Sequence, residues 1–185
     1  NGQVDFSYVG YEQNGSNWWY VYGGQVCFQE TDVLPGTVGG QYGWWKVCEG
    51  KVNFDDDVCE NAYGWWKITT GKVDFQYTGL AQNACGWWMI QNGHVNFGSN
   101  GLVDNGNGWW LVKNGGVDFN YNGLVDNGNG WWLIRNGYVD FNYNGLVDNG
   151  NGWWLVKNGC VDFSYQGYVQ NECGVWWVSN GQVQF

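Results

Sequence analysis

The residues with the most chemistry to offer are tryptophans set in adjacent pairs along the chain. The first members Trp44, Trp65, Trp87, Trp109, Trp131 and Trp153 recur with Leu111, Leu133 and Leu155, and further on with Asp118, Asp140 and Asp162. An indole face stacks on the C–H surface of a sugar ring or holds a cation. Carboxylates exchange hydrogen bonds with hydroxyls, and Trp is enriched among residues that dominate protein–protein contacts. These positions form the candidate ligand-binding set. Either a partner meets them or the adjacent repeat covers them.

Catalytic chemistry has no comparable foothold. His94, the only histidine, sits beside Asn92-Gly93, and Ser7, Ser16, Ser99, Ser164 and Ser179 lack the context of a nucleophile. Acidic groups recur with the repeat instead of converging on one asymmetric constellation, as an active site does. The chain reads as non-enzymatic, with no cofactor. The stretch from Asp104 to Gly108, copied from Asp126 and Asp148, loosely resembles a calcium loop. Gly106 stands where a second oxygen ligand belongs and no bidentate Glu follows, so a turn rather than a metal site is expected. Six cysteines (Cys27, Cys48, Cys59, Cys85, Cys160, Cys173) include no Cys-x-x-Cys. Their even number suggests disulfides. Cys160 and Cys173, with no other cysteine near them in sequence, are expected to pair; free thiols are the alternative.

A repeat must position these groups. Val-x-Phe occurs at Val4, Val26, Val52, Val73, Val95, Val117, Val139, Val161 and Val183, settling into a 22-residue period from Val73 onward. A fixed period of this size marks a stacked array. The chain divides into eight hairpin units of a single array over 1–185, irregular over 1–64 and regular over 65–185. An insertion around Thr31–Gly40 carries Pro35-Gly36, read as a turn. Both ends, from Asn1-Gly2 and at Asn180-Gly181, stand at the same phase of the repeat, as expected of a piece of a longer protein.

Within a unit, β-branched and aromatic runs flank Asn-Gly, the strongest short signal for a type I′ hairpin. With Asn114-Gly115 at the tip, Val112 pairs with Val117, Leu111 with Asp118 and Trp110 with Phe119. Side chains alternate between faces. Trp110, Val112, Val117, Phe119 and Tyr121 make the core face, and Trp109, Leu111, Asp118 and Asn120 the other. In the last repeat, aligning Gly174 with Gly152 keeps the period and puts Trp176 at the core position, with Val175 in the place of the outward Trp. The segment G-L-V-D-N-G-N-G reads as the joint between hairpins.

Composition agrees with an ordered β array. The 185 residues hold 32 Gly but also 16 Trp, 12 Tyr and 9 Phe. That aromatic surface can offset chain entropy by burial. The net charge of −10 removes the basic footprint that nucleic-acid binding needs, and no apolar run is long enough to insert in a membrane.

At G-W-W-L-V-K-N-G-x-V-D-F-x-Y-x-G-L the chain resembles the cell-wall-binding repeats of Gram-positive bacteria, the choline-binding and glucan-binding repeats among them. It looks nearest to variants on surface proteins of gut clostridia. The resemblance implies an all-β fold, a β-solenoid of stacked hairpins. It also implies a non-catalytic binding or adhesion module, secreted or on a bacterial surface. In choline-binding repeats, aromatics of consecutive hairpins box a quaternary ammonium. The partner implied is a cell-wall polymer or host glycan, or a host protein such as immunoglobulin; a rigid stalk is the third reading.

Overall fold

The computed structural model describes residues 3–185, so expectations that fall on Asn1 and Gly2 lie outside the described residues. Among the described residues regular structure is all extended: twenty-four short strands in antiparallel pairs. The chain forms two compact units, Asn1–Phe97 and Gly98–Phe185. Each is a β-solenoid segment of stacked hairpins.

One repeat of the second unit shows the plan. Strand Gly123–Asp126 pairs with Trp131–Arg135 from Gly123↔Ile134 to Asp126↔Trp131. Thus G-L-V-D, read as a joint, is itself a strand. Its apolar pair Leu124-Val125 and the D-N-G-N-G turn behind it make it the first arm of a hairpin. Trp131–Arg135 then turns through Asn136-Gly137 onto Tyr138–Val139, with Ile134↔Val139 and Arg135↔Tyr138 in register. Asn136 and Gly137 have φ of 50° and 76°, as the type I′ turn requires.

The second hairpin stops after two residues. Val112↔Val117 forms as expected, but Trp110 takes Tyr138 of the next repeat as its Cα partner instead of Phe119. The reason is a stronger claim on the Trp strand. Leu111 N–H donates to the Gly137 carbonyl at 2.8 Å, and Gly137 N–H donates back to Tyr121 at 3.1 Å. Leu133 and Gly159, then Leu155 and Gly181, repeat the first bond at 2.8 Å. The Asn-Gly tip of one repeat therefore docks edge-on against the Trp strand of the repeat before it.

This docking excludes any side chain at the second turn position. A Cβ on Gly137 would stand 2.5 Å from the Asp118 carbonyl oxygen and 2.9 Å from Phe119 Cα. On Gly159 it would stand 2.5 Å from the Asp140 oxygen. Gly is required there twice over, by positive φ and by contact with backbone that cannot swing away.

In the first unit the insertion lengthens a hairpin. Pro35 and Gly36 lie inside strand Asp32–Val38, which pairs with Gln41–Cys48 from Asp32↔Val47 to Val38↔Gln41. The expected Pro35-Gly36 turn is displaced to Gly39-Gly40, where both φ values are positive at 57° and 79°. Two glycines supply the left-handed pair, which Pro cannot enter. The last repeat keeps its alignment, since Val169↔Trp176 matches Val147↔Trp154. Val175 is 62% exposed.

Two stability outcomes follow. Gly137→Ala should cost roughly 3 kcal/mol, the sum of left-handed strain and a forced backbone shift. Gly128→Ala also has positive φ but open space around it, and should cost about 1 kcal/mol. Urea unfolding of both variants measures the difference; equal midpoints would mean that the docking contact carries no weight. Thr70 holds a φ of 49° at a position where other repeats place Asn. A β-branched residue is disfavoured there, so Thr70→Asn should raise stability by about 1 kcal/mol, read as an upward shift in melting temperature.

Candidate functional site

Both faces of the strand Trp131–Arg135 are covered, because the Trp strands before and after it stack on it face to face. Trp109 and Leu111 of one repeat lie against Trp132, Ile134, Val139 and Phe141 of the next. Trp131 and Leu133 meet Trp154, Val156 and Val161 in the same way. Leu111, Leu133 and Leu155 are each 4% exposed. Expected as partner-facing residues, these leucines are core. Strand alternation describes an isolated hairpin; in a stack the outer face of one hairpin becomes the floor of its neighbour. Conversely Phe119, expected in the core, is 39% exposed, because the strand that would have carried it inward has ended.

The expected aspartates are occupied within their own hairpins. Asp118 lies 3.0 Å from Lys113, Asp140 3.3 Å from Arg135 and Asp162 2.9 Å from Lys157. Each cation also sits over a tyrosine ring, at 4.3 Å on Tyr121, 4.5 Å on Tyr143 and 4.3 Å on Tyr165. The Lys113 hydrogen bond holds the Asp118 carboxyl below its usual range. For Asp162 the Ser164 hydroxyl does most of this, with Lys157 behind it. Solvated pairs of this kind add little stability, but they leave the carboxylates already matched. In the first unit Lys46 and Lys67 stand where later repeats have Leu and pair with Asp57 at 2.6 Å and Asp56 at 3.4 Å. Burial beside that cluster, with the Asp57 charge nearby, pushes the Cys59 thiol up to about 12, so it stays protonated.

The first tryptophans Trp44, Trp65, Trp87, Trp109, Trp131 and Trp153 are all half-buried. Most of their surface is spent on ring contacts. Trp65–Trp88, Trp109–Trp132 and Trp131–Trp154 have centroids 5.2, 5.2 and 5.1 Å apart at 51–54°. Phe97, Phe141 and Phe163 close each group edge-on, at 6.1, 6.0 and 5.8 Å from the first tryptophan. Trp44–Trp66 is similar at 5.6 Å. A cation shared by two ring faces must enter between them. Rings this close touch each other, and these junctions are packed joints.

The last junction is different. Trp153, Trp176, Phe185, Leu146, Val183 and Cys173 line a cavity of about 230 Å³. No ring contact joins Trp153 to Trp176 among the described residues, while Trp176 meets Phe185 edge-on at 5.6 Å. The Trp176 indole N–H donates to Asn171 Oδ1 at 2.9 Å, which fixes the ring and leaves its face to the cavity. No lining side chain carries a charge. Of this group the sequence pointed only to Trp153 as ligand-facing. Phe185, Asn171 and Cys173 gave no signal of their own, because each belongs to the repeat after Trp153. A second opening of about 490 Å³ has Trp109 as its indole, with Asp104, Asp126, Asn127 and Asn129 around it.

All six cysteines are free thiols, so Cys160 and Cys173 are not joined. Cys160 is the Cα partner of Trp132 in the strand ladder, whereas Cys173 sits at a hairpin tip in the cavity wall. Nearness in sequence does not set the Cα spacing that a disulfide needs. Asp104 Oδ1 accepts the Gly106 N–H at 2.8 Å and Asn105 Oδ1 the Asn107 N–H at 3.0 Å. The loop is thus a pair of side-chain-capped turns.

Since Trp109 and Trp132 act as one joint, Trp109→Ala and Trp132→Ala should each cost roughly 3 kcal/mol. The double variant should cost less than the sum, as expected of residues in contact. Chemical unfolding of the three variants checks this, and a neutral Trp109→Ala would show its ring to be a free recognition group.

The family model described as a choline-binding repeat matches residues 7–27, 76–96, 98–118, 120–140 and 142–162. No curated protein matches the chain by sequence. Among solved structures, choline-binding protein F of Streptococcus pneumoniae is similar over 93% of this chain, with 19% identity and a TM-score of 0.38; the chain spans 58% of that protein. The same protein with a tetrasaccharide-pentapeptide peptidoglycan analogue matches over 96% of this chain and 52% of its own, at 16% identity and a TM-score of 0.33. An alternansucrase in complex with isomaltononaose matches over 94% of this chain and 13% of its own, at 11% identity and a TM-score of 0.37. With its family model matched in five repeats that together span more than half of its residues, the chain belongs to the choline-binding repeat family.

Proposed function

We propose that this chain is a non-catalytic module of a surface or secreted protein that holds a choline-bearing cell-wall polymer through its trimethylammonium group. The observation that carries the reading is the uncharged aromatic cavity at Trp153, Trp176 and Phe185. A trimethylammonium ion sheds water cheaply and gains from each aromatic face, by roughly 0.5–2 kcal/mol per ring as the site is desolvated. The net charge of −10 draws a cation toward the chain and repels anionic competitors. With one such cavity, affinity for the free headgroup should be modest. A polymer bearing many headgroups gains when several modules engage it.

A second reading rests on the cleft at Trp109, where an indole, two carboxylates and two amides suit a hydroxyl-rich ligand such as a wall or host glycan. The reading as an immunoglobulin binder relied on an exposed Trp/Leu/Asp edge. With its leucines buried and its aspartates paired, that edge has little left to offer.

Choline in excess should raise the melting temperature by mass action, about 2.7 kcal/mol of added stability at a hundred times Kd. Its uncharged carbon isostere should do so much less. Thermal melts with both compounds decide; an equal response to the two, or none to choline, would refute the reading.

A further inference from the structure

The residue just before the Gly of Gly-Trp-Trp, or of Gly-Val-Trp in the last repeat, changes along the chain: Tyr42, Tyr63, Cys85, Asn107, Asn129, Asn151, Cys173. From Tyr63 onward its backbone does not change. The N–H of each of these donates to the Oδ1 of an asparagine two positions earlier, a place that Gly40 takes before Tyr42. The distances are 2.9 Å at Asn61, Asn83 and Asn171, and 3.0 Å at Asn105, Asn127 and Asn149. The turn residue lends this clamp only its main-chain N–H, so its side chain is free to vary.

Three observations show where that side chain goes. The Tyr63 ring stands edge-on to Trp44 at 5.5 Å. Cys173 lines the cavity with Trp153. Asn129 lines the cleft with Trp109. Each time the neighbour is the first tryptophan of the preceding repeat.

We propose that, where a tryptophan joint is open, this turn residue is its selectivity wall, setting what can reach the preceding repeat's tryptophan. Tyr63 covers Trp44 with its own ring. Cys173 is small, apolar and polarisable, and leaves Trp153 open within an uncharged cavity fit for trimethylammonium. Asn129 places an amide beside Asp104 and Asp126, where a hydroxyl-rich ligand finds donors and acceptors. The thiol-walled case rests on the choline reading, and the experiment separates the two.

Choline binding to the whole chain is measured by tryptophan fluorescence for the unsubstituted protein, Cys173→Ala and Cys173→Tyr. Tyr63 shows that this register accepts tyrosine. Cys173→Tyr should weaken binding by at least about tenfold, whereas Cys173→Ala should stay within about threefold of the unsubstituted chain. In parallel, iodoacetamide labelling is followed cysteine by cysteine with and without saturating choline. Cys173 and Cys85 are both exposed, but Cys85 belongs to the repeat whose Trp65–Trp88 joint is closed. Choline should slow labelling of Cys173 several-fold and leave Cys85 unchanged. If the unsubstituted chain binds choline while Cys173→Tyr binds it equally, or Cys173 labels at an unchanged rate, the selectivity wall is overturned and the choline reading stands. Failure of the unsubstituted chain to bind choline overturns both.

Discussion

The structure depends on one contact, the edge-on docking of an Asn-Gly turn against the Trp strand of the preceding repeat. Gly137 accepts from Leu111 and donates to Tyr121, with no room for a Cβ between it and Asp118. The bonds tie backbone to backbone, so they fix the repeat spacing without regard to side chains. They also end the second hairpin early, because the Trp strand's free edge is taken by the next repeat before its own hairpin can extend. Exposed Phe119 and the two-residue third strands are consequences of that competition.

Docking at this spacing presses one Trp strand flat on the next, so both of its faces are desolvated. The tryptophan pair then becomes a device for joining repeats, the first ring of one against the second ring of the next. Recognition is confined to places where the joint does not close. In the second unit this happens at the junction of Trp153 and Trp176, where the rings stand around a cavity instead of against each other. Beside Trp109, whose joint with Trp132 is closed, a more polar cleft remains at the surface. A repeat array can thus be uniform in scaffold and uneven in function.

Much of this was legible before any coordinates. The Asn-Gly pairs announced their left-handed turns, and the 22-residue period aligned Trp176 with Trp154 although Trp177 broke the pattern. The resemblance to choline-binding repeats rested on residues that the family model also matches. What escaped was whatever depends on two repeats at once. Leu111, Leu133 and Leu155 read as outward because alternation treats one hairpin alone, and Phe185 and Cys173 carried no signal because their partner Trp153 lies a repeat earlier. Pro35-Gly36 looked like a turn by local chemistry, yet Gly39-Gly40 could supply two left-handed residues and so took the role. The pairing of Cys160 with Cys173 was inferred from order along the chain, which in a stacked array says little about distance.

The central claim is that packed tryptophan joints hold the repeats together while the open joint at Trp153 binds. A crystal structure of the chain soaked in choline tests it most directly. The account predicts a trimethylammonium group among Trp153, Trp176 and Phe185, and none between Trp109 and Trp132 or between Trp131 and Trp154. Choline inserted at those closed joints, or an empty cavity at Trp153 under saturating ligand, would contradict it.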